Sequence, residues 1–375
     1  MKKLPIFFIA LLLTAFAASA QEKPWLVRMG QRLLQSATAR KKTFDSTYVF
    51  QPTLKWMVGV DSKMVRVGAD LHSDLSVTDL RGDQPSILTG TMDTGMQNES
   101  YRKLGISAGY GSWSVGYGVQ LGKKDEKRNT FFDFGLTSAS YGARISYYKL
   151  HQYPEGRLEL GGDVIDLTSA RKGEMRNLSI DGFYAFNRHR FVYSAAYKGR
   201  ILQRRSAGSW LVAAKYTQGD FSLDPADDLW ARLNNLRRYS TQQVCAGGGY
   251  SFNWVLFHSD PADPATAAGL RNLTLNATAL CRLSLLNHIQ TEQAAENRVD
   301  KVRYNGQPAL SPALQGGLCY TAGRCSFLAS VEYDRFGFQG IETNVATEHN
   351  TLRTKVRTQG VFYDLTIQGK VQVRF

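Results

Sequence analysis

Residues 361–375 read VFYDLTIQGKVQVRF, a pattern that alternates between two faces. Apolar side chains occupy one face, interrupted at Gly369, whereas the other face is polar except at Phe362. Because successive side chains of a strand point to opposite sides, this alternation predicts a β-strand with one face toward an apolar phase. The residues of that apolar face are Val361, Tyr363, Leu365, Ile367, Val371, Val373 and Phe375.

This terminal strand finishes on Phe375 and resembles the closing strand of outer-membrane barrels, which the barrel-insertion machinery reads during assembly. Between residues 104 and 121, large apolar residues alternate with Ser and Gly, which suits a wall with lipid outside and a crowded interior. Similar segments give a count of about twelve strands, within a range of roughly ten to fourteen. We therefore predict an all-β fold over residues 44–375, an antiparallel up-and-down transmembrane β-barrel in the cell outer membrane.

The N-terminal residues 1–20 are predicted to be a signal peptide. Lys2 and Lys3 precede an apolar run, and small residues around Ala20 provide a cleavage site. Residues 21–43 form a basic leader, for which a short helix and a disordered segment both remain open. A further short helix is predicted for an insertion at residues 221–238.

The formal net charge of +14 indicates contact with anionic groups or an anion-favouring lumen, although solvated loops explain the same excess. The expected partners are outer-membrane lipid and lipopolysaccharide, with the insertion machinery during assembly. Nucleic acid is excluded, because an exported protein seldom meets it. Arg200, Arg204 and Arg205 are the candidate contacts for an anion or lipopolysaccharide phosphate, with solvated or lumen-lining charge as the alternative.

Four cysteines raise the question of disulfide bonds in an oxidising compartment. Strand parity puts Cys319 and Cys325 on opposite faces, and it does the same for Cys245 and Cys281. Directly opposed residues on paired strands share a face, so both bridges are disfavoured unless a β-bulge intervenes. No Cys or His stands at zinc-ligand spacing, and neither a metal nor a cofactor is predicted.

No catalytic residue is predicted either. His258, Ser259 and Asp260 are adjacent in sequence, whereas the members of a catalytic triad converge from separate places in a chain. The glycines at residues 247–249 lack the Lys and Ser or Thr of a phosphate-binding loop. They predict instead relief of crowding, either where the strand bends or where side chains from across the lumen press in.

Several segments together resemble an uncharacterised domain-of-unknown-function family of bacterial envelope proteins. The resemblance covers about Phe44 to Phe375 and implies an exported barrel with no established activity, so no functional residue follows from it. The segments that carry it are residues 44–48 (FDSTY), residues 129–148 with the Tyr141-Gly142 step, residues 184–187 (YAFN) and residues 203–210 (QRRSAGSW).

Three functions are compatible with these patterns. The first is a non-enzymatic outer-membrane barrel, either a narrow pore or a structural envelope protein. The second is an outer-membrane enzyme that modifies lipid or lipopolysaccharide, which requires a Ser and a His side by side on the wall. The third is a soluble periplasmic β-rich binding module, in which the apolar strand faces cover a protein core instead of meeting lipid.

Overall fold

The computed structural model describes residues 44–80, 85–97, 101–111, 113–120, 130–137, 141–152, 154–160, 162–166, 173–222, 236–263, 265–295, 298–346 and 352–375. The chain divides into Met1–Phe44 and Asp45–Phe375, and the second unit contains every element below. The signal peptide predicted at residues 1–20 and the leader predicted at 21–43 lie outside the described residues. So does the middle of the helix predicted at 221–238, whose described ends belong to strands.

Strands dominate the described part of the chain, as predicted. They are β1 (Val49–Phe50), β2 (Trp56–Asp79), β3 (Ser86–Gln97), β4 (Tyr101–Tyr110), β5 (Trp113–Gln120), β6 (Thr130–Thr137), β7 (Tyr141–Gln152), β8 (Pro154–Leu160), β9 (Asp163–Asp166), β10 (Gly173–Ala185), β11 (Leu202–Gln203), β12 (Ala207–Ser222), β13 (Leu236–Ser259), β14 (Arg271–Ala295), β15 (Arg298–Asn305), β16 (Leu310–Ala322), β17 (Cys325–Ala346) and β18 (Leu352–Arg374). The helix α1 spans Ala195–Lys198. Within the described ranges, no helix has the length and apolar character that crossing a membrane requires.

Twelve strands close into an antiparallel barrel, which confirms the predicted fold and count. Their order around the wall is β2, β4, β5, β6, β7, β10, β12, β13, β14, β16, β17 and β18. The terminal strand β18 pairs with β17 on one side and β2 on the other, with Val371 opposite Val60 and Val361 opposite Asp70. Closure gives the backbone of every wall strand hydrogen-bond partners on both sides, as the interior of a lipid bilayer demands.

The two ends of the barrel differ. At one end, here called the turn end, only two residues separate β4 from β5 and β16 from β17. The first and last strands also meet at the turn end, where the backbone N–H of Phe375 donates to the carbonyl of Trp56 at 3.0 Å. At the opposite loop end, the wall extends into additional strands. There β3 pairs with β2, β8 with β3 and β9 with β8, and β15 pairs with β14.

The wall has an apolar outer face and a polar inner face. On β2, Trp56 and Val60 are 56% and 51% exposed, whereas the neighbouring Asp61 is 6% exposed. On β18, Val371 is 48% exposed and Arg374 is 1% exposed. Each of the twelve wall strands carries at least one exposed large apolar side chain. A continuous apolar belt of this extent marks a surface that meets lipid or protein.

Aromatic residues gather in this belt near the turn end. Trp56 lies 4.9 Å from Tyr110 between ring centroids, and Trp210 lies 5.2 Å from Tyr250. Phe375 is 57% exposed at the same end. Rings with a polar edge are enriched at the two boundaries of a membrane, so this end of the belt has the composition of an interfacial girdle.

Two local predictions were wrong. The polar sequence from His151 to Arg176 predicts a long loop, but this stretch contains β8, β9 and parts of β7 and β10. The alternation from Phe191 to Tyr197 predicts the strand that returns from β10, but this segment is not a wall strand. It includes part of α1, and the returning strand is β12. The alternating aromatic residues of this segment imitate a strand, but their rings pack inside the barrel.

The glycines and cysteines follow the predicted strand geometry. A β-carbon at Gly247 would overlap the backbone of Cys281, so the crowding at this glycine comes from the adjacent strand and not from side chains across the lumen. All four cysteines are free, with Cys245 and Cys319 buried and Cys281 exposed. The register places Ser284, not Cys281, opposite Cys245, in agreement with the parity argument.

Candidate functional site

The interior of the barrel contains a segment of the chain, residues 186–206, that connects β10 to β12. We call this segment the plug. It includes α1 and β11, and β11 pairs with β1 so that Val49 lies opposite Gln203. Phe191 and Val192 are 0% exposed, and α1 contacts β14, β16 and β17. The connection is therefore folded against the wall and is not a free loop.

A ladder of polar side chains on β13 and β14 holds the plug. Asn253 donates to the carbonyl of Val192 at 2.8 Å, and Asn272 donates to the carbonyl of Gln203 at 2.8 Å. The Gln203 side chain in turn accepts from the backbone N–H of Val192 at 3.0 Å. Asn276 also belongs to the ladder and donates to Asn253 at 2.6 Å. Buried amides with satisfied hydrogen bonds fix one arrangement of the chain, because losing a partner leaves a costly unpaired group.

Two tyrosines of the plug reach the facing wall. The Tyr193 hydroxyl donates to Gln315, and the Tyr197 hydroxyl donates to Asn276. The Tyr193 ring also lies 4.1 Å from the ring of Phe183, between centroids. Burial raises the pKa of both phenols above their ordinary value, so they act as neutral hydrogen-bond donors.

Two cations of the plug lie against a part of the wall built from glycine and small hydroxyl residues. Lys198 donates to Thr137 at 2.8 Å and to Ser114 at 3.2 Å. Arg200 donates to the carbonyl of Gly111 at 2.9 Å and to that of Trp113.

Glycine provides the space for these long side chains. A β-carbon at Gly109 would overlap the Arg200 guanidinium, and one at Gly135 would lie 2.8 Å from the Lys198 ammonium. Glycine and hydroxyl residues of β4, β5 and β6 thus accommodate the plug. Burial lowers the pKa of Arg200 to about 10, a value at which the side chain still carries its charge at neutral pH.

A layer of charged side chains crosses the lumen above the plug, toward the loop end. Arg144 and Glu332 form two parallel hydrogen bonds of 2.8 and 2.6 Å. Arg144 is on β7 and Glu332 is on β17, with five strands between them along either path around the wall. The pair therefore joins opposite sides of the barrel. Its bidentate geometry is the strongest form of an Arg–carboxylate contact.

Further ion pairs complete this charged layer. Lys215 lies 2.6 Å from Asp334, which also pairs with Arg282. On the opposite side, Lys63 lies 2.8 Å from Asp133. We use the name charged layer for Lys63, Asp133, Arg144, Asp181, Lys215, Arg282, Glu332 and Asp334.

Two cavities adjoin the charged layer inside the described part of the barrel. One, here called the plug-side cavity, has a volume of about 240 Å³ and is lined by Tyr197, Lys198 and Arg200 of the plug. The other has a volume of about 100 Å³ and is lined by Val67 and Tyr148 of the wall. Charged-layer residues, including Arg144 and Glu332, line both cavities. The charged layer therefore separates the two spaces, and the plug lies beside the larger one.

The three arginines predicted to contact lipopolysaccharide lie in or next to the plug. Arg200 binds backbone carbonyls of the wall, as described above, and Arg204 lies 2.5 Å from Asp260. Arg205 is exposed and accepts, through its carbonyl, a hydrogen bond of 2.9 Å from Gln203. The positions of Arg200 and Arg204 favour a structural role in holding the plug.

The structure also shows where the other residues singled out in the sequence lie. The apolar residues of β18 lie on the outer face, with Ile367, Val371 and Phe375 among the exposed ones. His258 and Asp260 contact each other at 3.0 Å, near the turn end. Burial raises the pKa of the Asp260 carboxyl, but hydrogen bonds from His258 and Arg204 outweigh burial and hold it below its ordinary value. Among the residues that the structure describes, no three His, Cys, Asp or Glu side chains are grouped as metal ligands.

The plug and the charged layer were not predicted from the sequence. A local signal for the ladder was present in Asn272-Leu273-Thr274 and Asn276-Ala277-Thr278, which look like chance glycosylation motifs. Their Asn and Thr side chains all point into the barrel and bond to one another, with Thr274 donating to Asn272 at 2.8 Å. The available signal was therefore the alternation of Asn and Thr on one face of the strand, because these side chains can hydrogen-bond to a segment inside the lumen.

Comparison with known proteins defines the class. Residues 83–356 match the family described as Domain of unknown function (DUF4421), and the chain belongs to this family. This confirms the resemblance stated from the sequence. None of the curated proteins matches the chain.

Solved structures of outer-membrane proteins align with most of the chain. The outer-membrane expressed OmpT of Vibrio cholerae is 9% identical, with 84% of this chain and 98% of that one covered and a TM-score of 0.28. The β domain of the Bordetella autotransporter BrkA is 11% identical, with 79% and 98% covered and a TM-score of 0.25. A Pseudomonas aeruginosa FadL homologue is 8% identical, with 86% and 90% covered and a TM-score of 0.21. The assignment of a twelve-stranded barrel rests on the strand register of this chain.

Proposed function

We propose that this protein is a non-enzymatic structural barrel of the cell outer membrane, closed to solutes in its resting state. The observation that carries the proposal is the Arg144–Glu332 pair, which joins opposite sides of the lumen. The plug adds a second obstruction between this pair and the turn end. Outer-membrane barrels have short turns on the periplasmic side, so the turn end and the plug would face the periplasm.

The apolar belt supports the membrane location. Every one of the twelve wall strands contributes exposed apolar residues to this belt, and the inner face of the wall is polar and charged. A soluble binding module would need a second layer of protein over this belt. The enzyme alternative would need a Ser beside a His on the wall, whereas His258 and His288 bond to Asp260 and Asn305.

Planar-bilayer recording on the refolded full chain tests the proposal. The unchanged protein should insert without current steps. A matched variant in which residues 188–205 are replaced by a short Gly-Ser linker, combined with Arg144→Ala and Glu332→Ala, should conduct, which shows that insertion is not the limiting step. Regular conductance steps from the unchanged protein would contradict a closed resting state and favour the pore hypothesis.

A further inference from the structure

The plug-side cavity contains an excess of positive charge. Lys198 and Arg200 of the plug line it from one side, and Lys370 of β18 lines it from the wall. In the described part of the chain, none of these three cations has a carboxylate within ion-pair distance. The side chains of Lys198 and Arg200 donate to hydroxyls and backbone carbonyls, and the ammonium group of Lys370 makes no hydrogen bond to any residue that the structure describes.

Most of the other charges at this cavity belong to ion pairs. Lys63, Arg144 and Arg282 of the charged layer line it together with Asp133, Asp181, Glu332 and Asp334, whereas Lys215, which pairs with Asp334, lies outside the lining. Asp61 is the fifth carboxylate of the lining, and it lies opposite Lys370 in the strand register. Six cations against five carboxylates leave an excess of one positive charge. Like charges brought together inside a protein repel strongly unless a counter-ion joins them.

The donors around the cavity suit an oxyanion. An ammonium group has three N–H donors, so Lys198 retains one after bonding to Ser114 and Thr137. Lys370 retains all three, and only the Nη1 group of Arg200 is engaged with carbonyls. The volume of about 240 Å³ is several times the roughly 30 Å³ that one water molecule occupies in the liquid. A small anion with several oxygen atoms therefore has both space and partners.

We propose that the plug-side cavity binds a small oxyanion of the phosphate class, held between Lys198 and Arg200 of the plug and Lys370 of the wall. Charge-assisted hydrogen bonds from ammonium and guanidinium groups are the usual means by which proteins bind such anions. Burial, with the cations Arg200, Arg144 and Lys370, lowers the pKa of Lys198 to about 7, as a cluster without its counter-ion should. This proposal is independent of whether the barrel conducts.

Isothermal titration of the refolded full chain with inorganic phosphate, at constant ionic strength and pH 6.5, tests the site. The unchanged protein should bind one phosphate per chain. Lys370→Gln should weaken binding at least tenfold, because it removes one of the three cations proposed to hold the anion. Since the Lys370 ammonium group makes no hydrogen bond within the described residues, the substitution breaks none. Lys55→Gln is the matched control, since Lys55 is exposed near the turn end and outside the cavity, and it should bind as the unchanged protein does.

The thermal stability of the same variants separates a binding role from a structural one. Without phosphate, Lys370→Gln should melt at the same temperature as the unchanged protein or higher, because it removes repulsion. With phosphate, the unchanged protein should gain stability with the logarithm of the phosphate concentration, and Lys370→Gln should not. The proposal is overturned if the unchanged protein does not bind phosphate, or if Lys370→Gln binds it equally well.

Discussion

The side-chain amide of Gln372 donates a 2.6 Å hydrogen bond to the carbonyl of Lys198, the last residue of α1. Next to it on the same strand face, Arg374 donates to the carbonyl of Gly199. The strand that closes the barrel therefore also holds the end of the plug helix. Closure of the wall and docking of the plug are coupled through these two side chains.

Gln372→Ala should loosen the plug. The substitution leaves the Lys198 carbonyl without this buried donor, at a cost of about 1–3 kcal/mol. Hydrogen exchange of peptides from residues 186–206 should accelerate, while that of the wall strands stays unchanged. Gln368→Ala is the control on the same face of β18, since Gln368 makes no hydrogen bond to the plug, and it should leave exchange unaffected. Equal acceleration in both variants would show that the effect is not due to the Gln372–Lys198 contact.

A side chain at Gly109 should displace the plug. A β-carbon there overlaps the Arg200 guanidinium, so Gly109→Ala should destabilise the folded barrel by about 1–3 kcal/mol. Gly116→Ala is the matched control, because its β-carbon would meet its nearest atom at 3.8 Å. Denaturant unfolding in detergent compares the two variants. If both were equally stable, the close approach of Arg200 to the wall would be in error.

The stability of the plug should rise with pH. Burial and the neighbouring cations Arg200, Arg144 and Lys370, opposed by Asp133, lower the pKa of Lys198 from 10.5 to about 7 in the folded chain. Between these values the unfolded chain binds more protons, so the free energy of unfolding increases from about pH 7 toward pH 10. Below pH 7 the full cost of charging Lys198 is present.

Amide hydrogen exchange of residues 186–206, measured from pH 7 to pH 10 in buffer without phosphate, tests whether the plug becomes more stable as the pH rises. Amide exchange has its own pH dependence, so each value is divided by the rate of an unstructured reference peptide. Lys198→Met should flatten the slope, and Lys55→Met should retain it in full. A plug that becomes less stable between pH 7 and pH 9 would contradict this assignment.

Arg144 and Glu332 should be energetically coupled across the lumen. Their side chains are 41% and 29% exposed within the lumen. Because partial exposure weakens an ion pair, we expect a modest coupling energy of about 1–2 kcal/mol in a double-mutant cycle. Arg144→Ala and Glu332→Ala should each destabilise the barrel, and the double variant should lose less than their sum. Strict additivity would show that the pair does not form in the folded protein.

The sequence was sufficient to predict the barrel wall but not the plug and the charged layer inside it. Period-two alternation from Val361 to Phe375 depends only on which residues face outward, so it predicted the strand and its place in a barrel wall. The plug escaped detection because Phe191, Tyr193 and Tyr197 alternate as wall residues do. The Arg144–Glu332 pair is 188 residues apart in sequence and becomes visible only when the strand order brings β7 and β17 to opposite sides.

The account depends most directly on the closure of the barrel between β2 and β18. Val60 and Val371 are directly opposed on the outer face of these strands, so cysteines at both positions, in a chain whose four native cysteines are replaced by Ala, should cross-link on mild oxidation in lipid vesicles. The matched pair Val60→Cys with Gln372→Cys should not, because residue 372 points into the lumen. Cross-linking of the first pair alone is the predicted result, and no cross-link between residues 60 and 371 in the inserted protein would contradict the closed barrel.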